Sequence, residues 1–175
     1  GTYGFDAAFF KAMNIGTIEL RDSTGKSSVL IIPSYQGRVM TSSVNGNEGA
    51  RFGWINYKHS ESGKISSQFN PYGGEERIWF GPEGGPFSIY FREGAEQVFA
   101  NWMVPSAIDT EPFEIVKRSS SEVSFRKEFS VVNASGTVLP VGIDRTERLL
   151  DRKQAEAALG MAIDASLSFV AYESE

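Results

Sequence analysis

The sequence predicts a mainly β protein, an antiparallel β-sandwich with two short helices. Three observations predict it. Apolar residues recur with a period of two through most of the chain, turn clusters rich in Gly, Ser and Asn separate these runs, and only two stretches carry helical spacing. Many strands joined by short turns imply antiparallel sheets that stack on one another. At 175 residues, 41% of them hydrophobic, the chain amounts to one domain spanning residues 1–175, on the prior of ~100–200 residues per domain.

The first segment, Phe5 to Met13, sets Phe5, Phe9, Phe10 and Met13 at helical spacing, with Asp6 as the N-cap and Asn14 and Gly16 to close it. From Thr17 the period becomes two. Ile18 and Leu20 alternate with polar neighbours, Asp22-Ser23-Thr24-Gly25 turns the chain, and Val29 to Ile32 form an apolar run. The pair reads as a β-hairpin whose second strand is buried on both faces. Further strands are expected at Arg38 to Val44, Phe52 to Tyr57, Glu76 to Phe80, Phe87 to Arg92, Phe113 to Arg118, Glu122 to Val132, Thr137 to Leu150 and Leu167 to Glu173. Asn45 to Gly49, Gly81 to Gly85, Ser119 to Ser121 and Asn133 to Gly136 supply the turns between them.

The second helix is expected from Arg152 to Leu159, capped by Asp151 and ended by Gly160. Asp144, Arg145, Glu147 and Arg148 read as the solvated face of a strand. Asn56, sharing a strand face with Phe52 and Trp54, reads as packed, with a place at the pocket as the alternative. The last strand runs almost to the end of the chain. It is expected to meet either a partner segment in a longer polypeptide or an oligomer that covers its edge.

Composition narrows the chemistry. There is no cysteine and a single histidine, His59, which excludes disulfides, thiolate metal sites and any site needing two imidazoles. His59 stands in a polar stretch and reads as a solvated loop residue. Gly25-Lys26-Ser27 is not a phosphate loop, because Leu20 stands where such a loop needs glycine. No acidic loop has the regular spacing of a Ca²⁺ site, so neither a metal nor a cofactor is expected. A net charge of −5 argues against general nucleic-acid binding. No apolar run approaches the ~18 residues of a membrane span.

The densest block runs from Asn70 to Gly85, with glycine pairs at Gly73-Gly74 and Gly84-Gly85. Strand alternation would put Glu76, Ile78 and Phe80 on one face and Arg77 with Trp79 on the other. A Trp beside Arg, Tyr and carboxylates has the composition of a sugar site, since flat rings cover the apolar faces of pyranoses and charged planar groups bind hydroxyl pairs. Glu75 or Glu76 with Glu83 across a hairpin is the candidate carboxylate pair for acid–base work. The alternative is a packed Trp beside a structural Arg–Glu pair.

Gly73 to Gly85 resembles the Gly-Gly, Arg, Trp, Pro-Glu signature of an uncharacterised bacterial family of unknown function, frequent in Bacteroidetes and related to galactose mutarotase. Tyr35 to Met40, with its Gly37-Arg38, is similar to an early strand-turn of those proteins. Pro112 to Val116, Glu122 to Arg126 and Arg145 to Leu150 resemble their middle strands. The resemblance implies a galactose mutarotase-like supersandwich, of which 175 residues make an incomplete, N-terminal part. It also implies export to the periplasm or beyond. Mutarotase-like enzymes use a His acid and a Glu base from a later part of a longer chain, and His59 has no matching context.

The leading expectation is a carbohydrate-binding or carbohydrate-processing protein. Arg38, Tyr72, Glu75, Arg77 and Trp79 would hold the ligand, and Glu83 would accept hydrogen bonds or act as base. The alternatives are a non-catalytic protein-interaction or structural β-domain, and a sugar isomerase or lyase using a carboxylate pair.

Overall fold

Four consecutive apolar residues, Val29 to Ile32, set the middle layer of the fold. In the computed structural model, which describes residues 1–175, they lie in β2 (Ser28–Ile32), between β1 (Ile18–Arg21) and β3 (Arg38–Ser43) in one antiparallel sheet. Successive strand residues point to opposite faces. Val29 and Ile31 therefore enter one core while Leu30 and Ile32 enter another, and all of β2 is buried.

The Leu30 face is covered by α1 (Tyr3–Ala12) through Tyr3 and Phe10, together with Tyr35, Met40, Ile55 and Tyr72. Thr2, in extended conformation, caps α1 by accepting from the Phe5 N–H. Asp6 is therefore not the cap. It sits one turn inside the helix, fully buried, where it accepts from Arg51 at 3.0 Å and from the Tyr57 hydroxyl. The short strand β4 (Trp54–Ile55) pairs with β5 (Gly73–Gly74), and α2 (Tyr57–Ser62) lies between them in the chain.

The Val29 face packs on a second sheet, ordered β6 (Glu114–Arg118), β7 (Glu122–Val132), β8 (Val138–Leu149) and β9 (Tyr172–Ser174). Ile18, Leu20, Val29, Ile31 and Val39 meet Phe113, Val123, Phe125 and Leu149 between the layers. This is a β-sandwich-like arrangement, each buried aliphatic or aromatic side chain stabilising it by about 1.5–3 kcal/mol. The layers are unequal, because β7 and β8 are 11 and 12 residues long whereas β3 has only 6. The far half of the β7–β8 hairpin, with Phe129 and Ile143, is covered instead by the segment from residue 75 to 113. That segment has no strand, only short 3₁₀ turns at Phe99–Asn101 and Ser106–Ile108. A structured loop of such length is uncommon in a compact domain and usually functional.

Several expectations are corrected. Glu76 to Phe80 and Phe87 to Arg92 are not strands. Their polar groups bond outside any strand ladder, the Glu76 carboxylate accepting the Val39 N–H of β3 at 2.8 Å and the Tyr90 hydroxyl donating to the Phe80 carbonyl at 2.7 Å. Phe52 to Tyr57 shortens to β4, because Asn56 caps α2 by accepting from the His59 N–H at 3.2 Å. His59 is thus a helix residue, half-buried, with Nε2 3.2 Å from Asn70 Oδ1. Arg145 and Glu147 are not solvated. They are 4% and 0% exposed and share the inner face of β8 with Ile143 and Leu149, while Asp144 and Arg148 face out.

The helix α3 (Arg152–Leu159) forms as expected, with a reciprocal capping box between Asp151 and Gln154 and a left-handed Gly160. Strand β9 is shorter than expected and pairs with Glu147 to Leu149 of β8. No helix is long and apolar enough to cross a membrane.

Candidate functional site

The segment 75–113 carries an aromatic cluster on its outer side. The Trp79 and Tyr90 rings stack at 5.1 Å between centroids, Tyr90 and Trp102 at 5.6 Å, and Trp102 and Phe99 at 6.1 Å. Phe69 meets Trp79 edge-on. With Phe91, Val98, Gln97 and Glu83, the rings of Phe69, Trp79, Phe99 and Trp102 line an open cleft of about 420 Å³. Tyr90 is buried beneath it, whereas Phe99 is 76% exposed at its rim. A ring left in water at that exposure is free to cover a ligand.

The polar groups around the cleft are already ordered. The Trp79 indole N–H donates to Glu83 Oε1 at 2.7 Å, and Glu83 Oε2 accepts nothing from the protein. Gln97 clamps the adjoining loop, accepting from the Gly85 N–H at 2.7 Å and donating to the Gly85 carbonyl at 3.0 Å. Arg77 lies beneath the rings, its guanidinium carbon 4.5 Å from the Phe69 centroid and 4.7 Å from that of Trp79. It donates to Asp109 at 2.9 Å. Burial pulls the Arg77 pKa down, against the opposing pull of Asp109. Asp109 also accepts from Asn70 Nδ2 at 2.6 Å, so His59, Asn70, Asp109 and Arg77 form one continuous polar chain under the cleft.

A second polar cluster is buried around β3 and β8. Arg38, 2% exposed, donates to the Gly73 carbonyl at 2.6 Å and to Gln36 Oε1 at 3.0 Å, and has no ion pair of its own. Burial, and the nearby Arg77, lower its pKa to about 10. Arg145 pairs with Glu76 at 2.6 Å and with Glu147 at 2.5 Å. Burial opposes the Arg145 charge, but the two carboxylates outweigh it and hold its pKa above the ordinary value. Burial likewise pushes Glu147 up, although Arg145 and Ser174 pull the other way. Glu75 accepts from Ser42 at 3.1 Å and from the Tyr172 hydroxyl at 2.9 Å, and burial with the Glu75 charge raises the Tyr172 pKa.

The family model for a family of unknown function, DUF6786, matches residues 1–175. The chain belongs to that family. No curated protein and no solved structure matches it.

Of the residues singled out from sequence, Trp79 and Glu83 line the cleft in this DUF6786 member, and Arg77 supports it from below. Arg38 and Glu75 belong to the buried cluster instead. Tyr72 stacks on Tyr35 at 3.9 Å in the core under α1 and does not reach the cleft. Glu75 and Glu76 do not converge with Glu83, because the expected hairpin does not form: they bond to Ser42, Tyr172, Val39 and Arg145, while Glu83 bonds to Trp79. Sequence reasoning missed Phe69, Trp102, Phe99, Asp109, Arg145 and Glu147. Only the last two left a usable signal, the alternation Ile143, Arg145, Glu147, Leu149 on one strand face.

A larger concavity lies elsewhere, a polar groove of about 1030 Å³ between the Asp22–Lys26 turn, the Ser119–Ser121 turn and Arg152. Its main cations are engaged, Arg148 with Glu122 and Glu173 and Arg152 with backbone carbonyls. The aromatic cleft is therefore the stronger candidate on chemical grounds.

Proposed function

We propose that the protein binds carbohydrate in the aromatic cleft. One observation carries this reading: Phe69, Trp79, Phe91, Phe99 and Trp102 line a single open cleft whose rim holds the Glu83 carboxylate. Aromatic faces pack on the C–H faces of a pyranose, and a carboxylate oxygen accepts from its hydroxyls. The resemblance of Gly73 to Gly85 to mutarotase-related proteins supports the same assignment. A mutarotase-like supersandwich and export from the cytoplasm are parts of the proposal. Binding is favoured over turnover because Glu83 is the only carboxylate lining the cleft.

Titration calorimetry of the chain against a panel of oligosaccharides tests this reading, with Phe99→Ala as the control. Phe99 is 76% exposed, so its truncation leaves the fold intact. An affinity drop of about tenfold, or ~1.4 kcal/mol, is expected. A folded wild-type chain that binds no sugar in the panel refutes the proposal.

A sugar isomerase or lyase is the second reading, favoured by the Tyr172 hydroxyl donating to the Glu75 carboxylate at 2.9 Å, a phenol and a carboxylate side by side. Turnover of a sugar detected by NMR and abolished in Glu75→Gln would support it. Turnover unaffected by that substitution would remove Glu75 from the chemistry.

A further inference from the structure

We infer that the cleft selects among sugars by charge, preferring amino sugars with a protonated amine over neutral sugars and disfavouring sugar acids. The inference rests on the carbohydrate reading above and adds the chemical class of the ligand. Glu83 is the only ionisable side chain lining the cleft. One of its oxygens is held by the Trp79 indole and the other is unpartnered and exposed, so a negative charge with a free acceptor stands at the rim.

A sugar carboxylate would find no matching cation. Arg77, close to the rings, is 16% exposed and already paired with Asp109 at 2.9 Å. Gln97 spends its oxygen and one of its two amide N–H groups on Gly85. Among the lining side chains the Trp102 indole N–H and the second Gln97 amide N–H are left to donate, neutral groups that serve a hydroxyl as well as a carboxylate. An ammonium gains twice, from the carboxylate and from the negative faces of the indole and phenyl rings. The flanking sequence reinforces the sign, with Glu83, Glu93 and Glu96 against Arg92 alone between residues 83 and 102.

The test compares β-1,4-linked tetramers of one backbone: glucosamine, its N-acetylated form, cellotetraose and cellotetraose oxidised to the glucuronate. The glucosamine tetramer is expected to bind about two- to fivefold more tightly than cellotetraose at low salt, the range of an exposed ion pair. The N-acetylated form should lose that advantage, the glucuronate form should bind most weakly, and the differences should shrink as salt rises. In Glu83→Gln, which keeps an acceptor for the Trp79 indole, the preference for the amine should collapse.

Equal binding of all four tetramers, or an amine preference that survives Glu83→Gln, overturns the charge selectivity while leaving carbohydrate binding in place. Binding of none overturns both. A lysine-rich peptide that binds as tightly as the glucosamine tetramer also overturns the inference, because the cleft would then read charge without a sugar ring.

Discussion

Arg145 of β8 is ion-paired to Glu76 at 2.6 Å, and this contact ties the loop that leads to the cleft to the inner face of the second sheet. The same guanidinium neutralises Glu147, which is wholly buried. Its removal would leave a buried carboxylate without a cation. Arg145→Met is therefore expected to destabilise the protein by about 3–5 kcal/mol. Urea unfolding checks this, and Arg145→Met combined with Glu147→Leu should recover a large part of the loss. A single variant as stable as wild type would show that the pair does not hold the layers together.

The raised pKa of Glu147 gives a signed pH dependence. Its ordinary value is 4.5, and the folded value lies above it, chiefly through burial. The folded state thus holds the proton more tightly than the unfolded state. The resulting stabilisation is complete below pH 4.5 and is lost as pH rises through the folded value. Unfolding midpoints of wild type and Glu147→Gln, measured from pH 4 upward, should show wild type losing ground relative to the variant as pH rises. A difference independent of pH would contradict the shift.

Gly74 is the point where β5 approaches Arg38. Its φ is +117°, and a Cβ placed there would lie 2.5 Å from Arg38 Cδ. An alanine meets both an unfavourable backbone conformation and a clash with a buried side chain. Gly74→Ala is expected to cost about 2–4 kcal/mol, read from the denaturation midpoint. Gly63, whose added Cβ would meet nothing, is the control for backbone strain alone.

Arg38→Met tests the buried cation differently. It removes a charge that has no direct carboxylate partner, but leaves Gln36 Oε1 and the Gly73 carbonyl without their donor. Two unsatisfied acceptors should outweigh the relief of burying less charge, for a net loss of about 1–3 kcal/mol in urea unfolding. A stabilised variant would show that the charge burial dominates.

Gln97→Ala removes both bonds to Gly85 at the edge of the cleft. The bonds are exposed, so global stability should change by under about 1 kcal/mol. The Gly85 amide loses its acceptor, and its hydrogen exchange should accelerate. Unchanged exchange would mean that the loop is held by its other bonds, from Ser88 to the Glu83 carbonyl and from Ser135 to the Pro86 carbonyl.

The inner strands were legible because their cause is local. Period-two alternation and turn residues place β1, β2, β3, β7 and β8 within a few residues, and the run Val29 to Ile32 correctly implies burial on both faces. The Asp151 and Gly160 signals place α3 to the residue. The same alternation assigned to Glu76–Phe80 fails, because after the Glu75 N–H bonds to the Val39 carbonyl the Glu76 carboxylate, not its backbone, takes the Val39 N–H, and pairing with β3 stops there.

The sequence by itself determined a mainly β chain of stacked antiparallel sheets, and singled out Arg77, Trp79 and Glu83 as one chemical unit. Tertiary structure alone decided which other residues stand with them. Phe69, Phe91, Phe99 and Trp102 reach the cleft from positions up to 33 residues apart along the chain. Their meeting depends on the mismatch in length between the two sheets, which leaves half of a long hairpin for an irregular segment to cover. No period in the sequence encodes that mismatch, because a side chain's neighbours across layers follow from how the elements pack rather than from its spacing to adjacent residues.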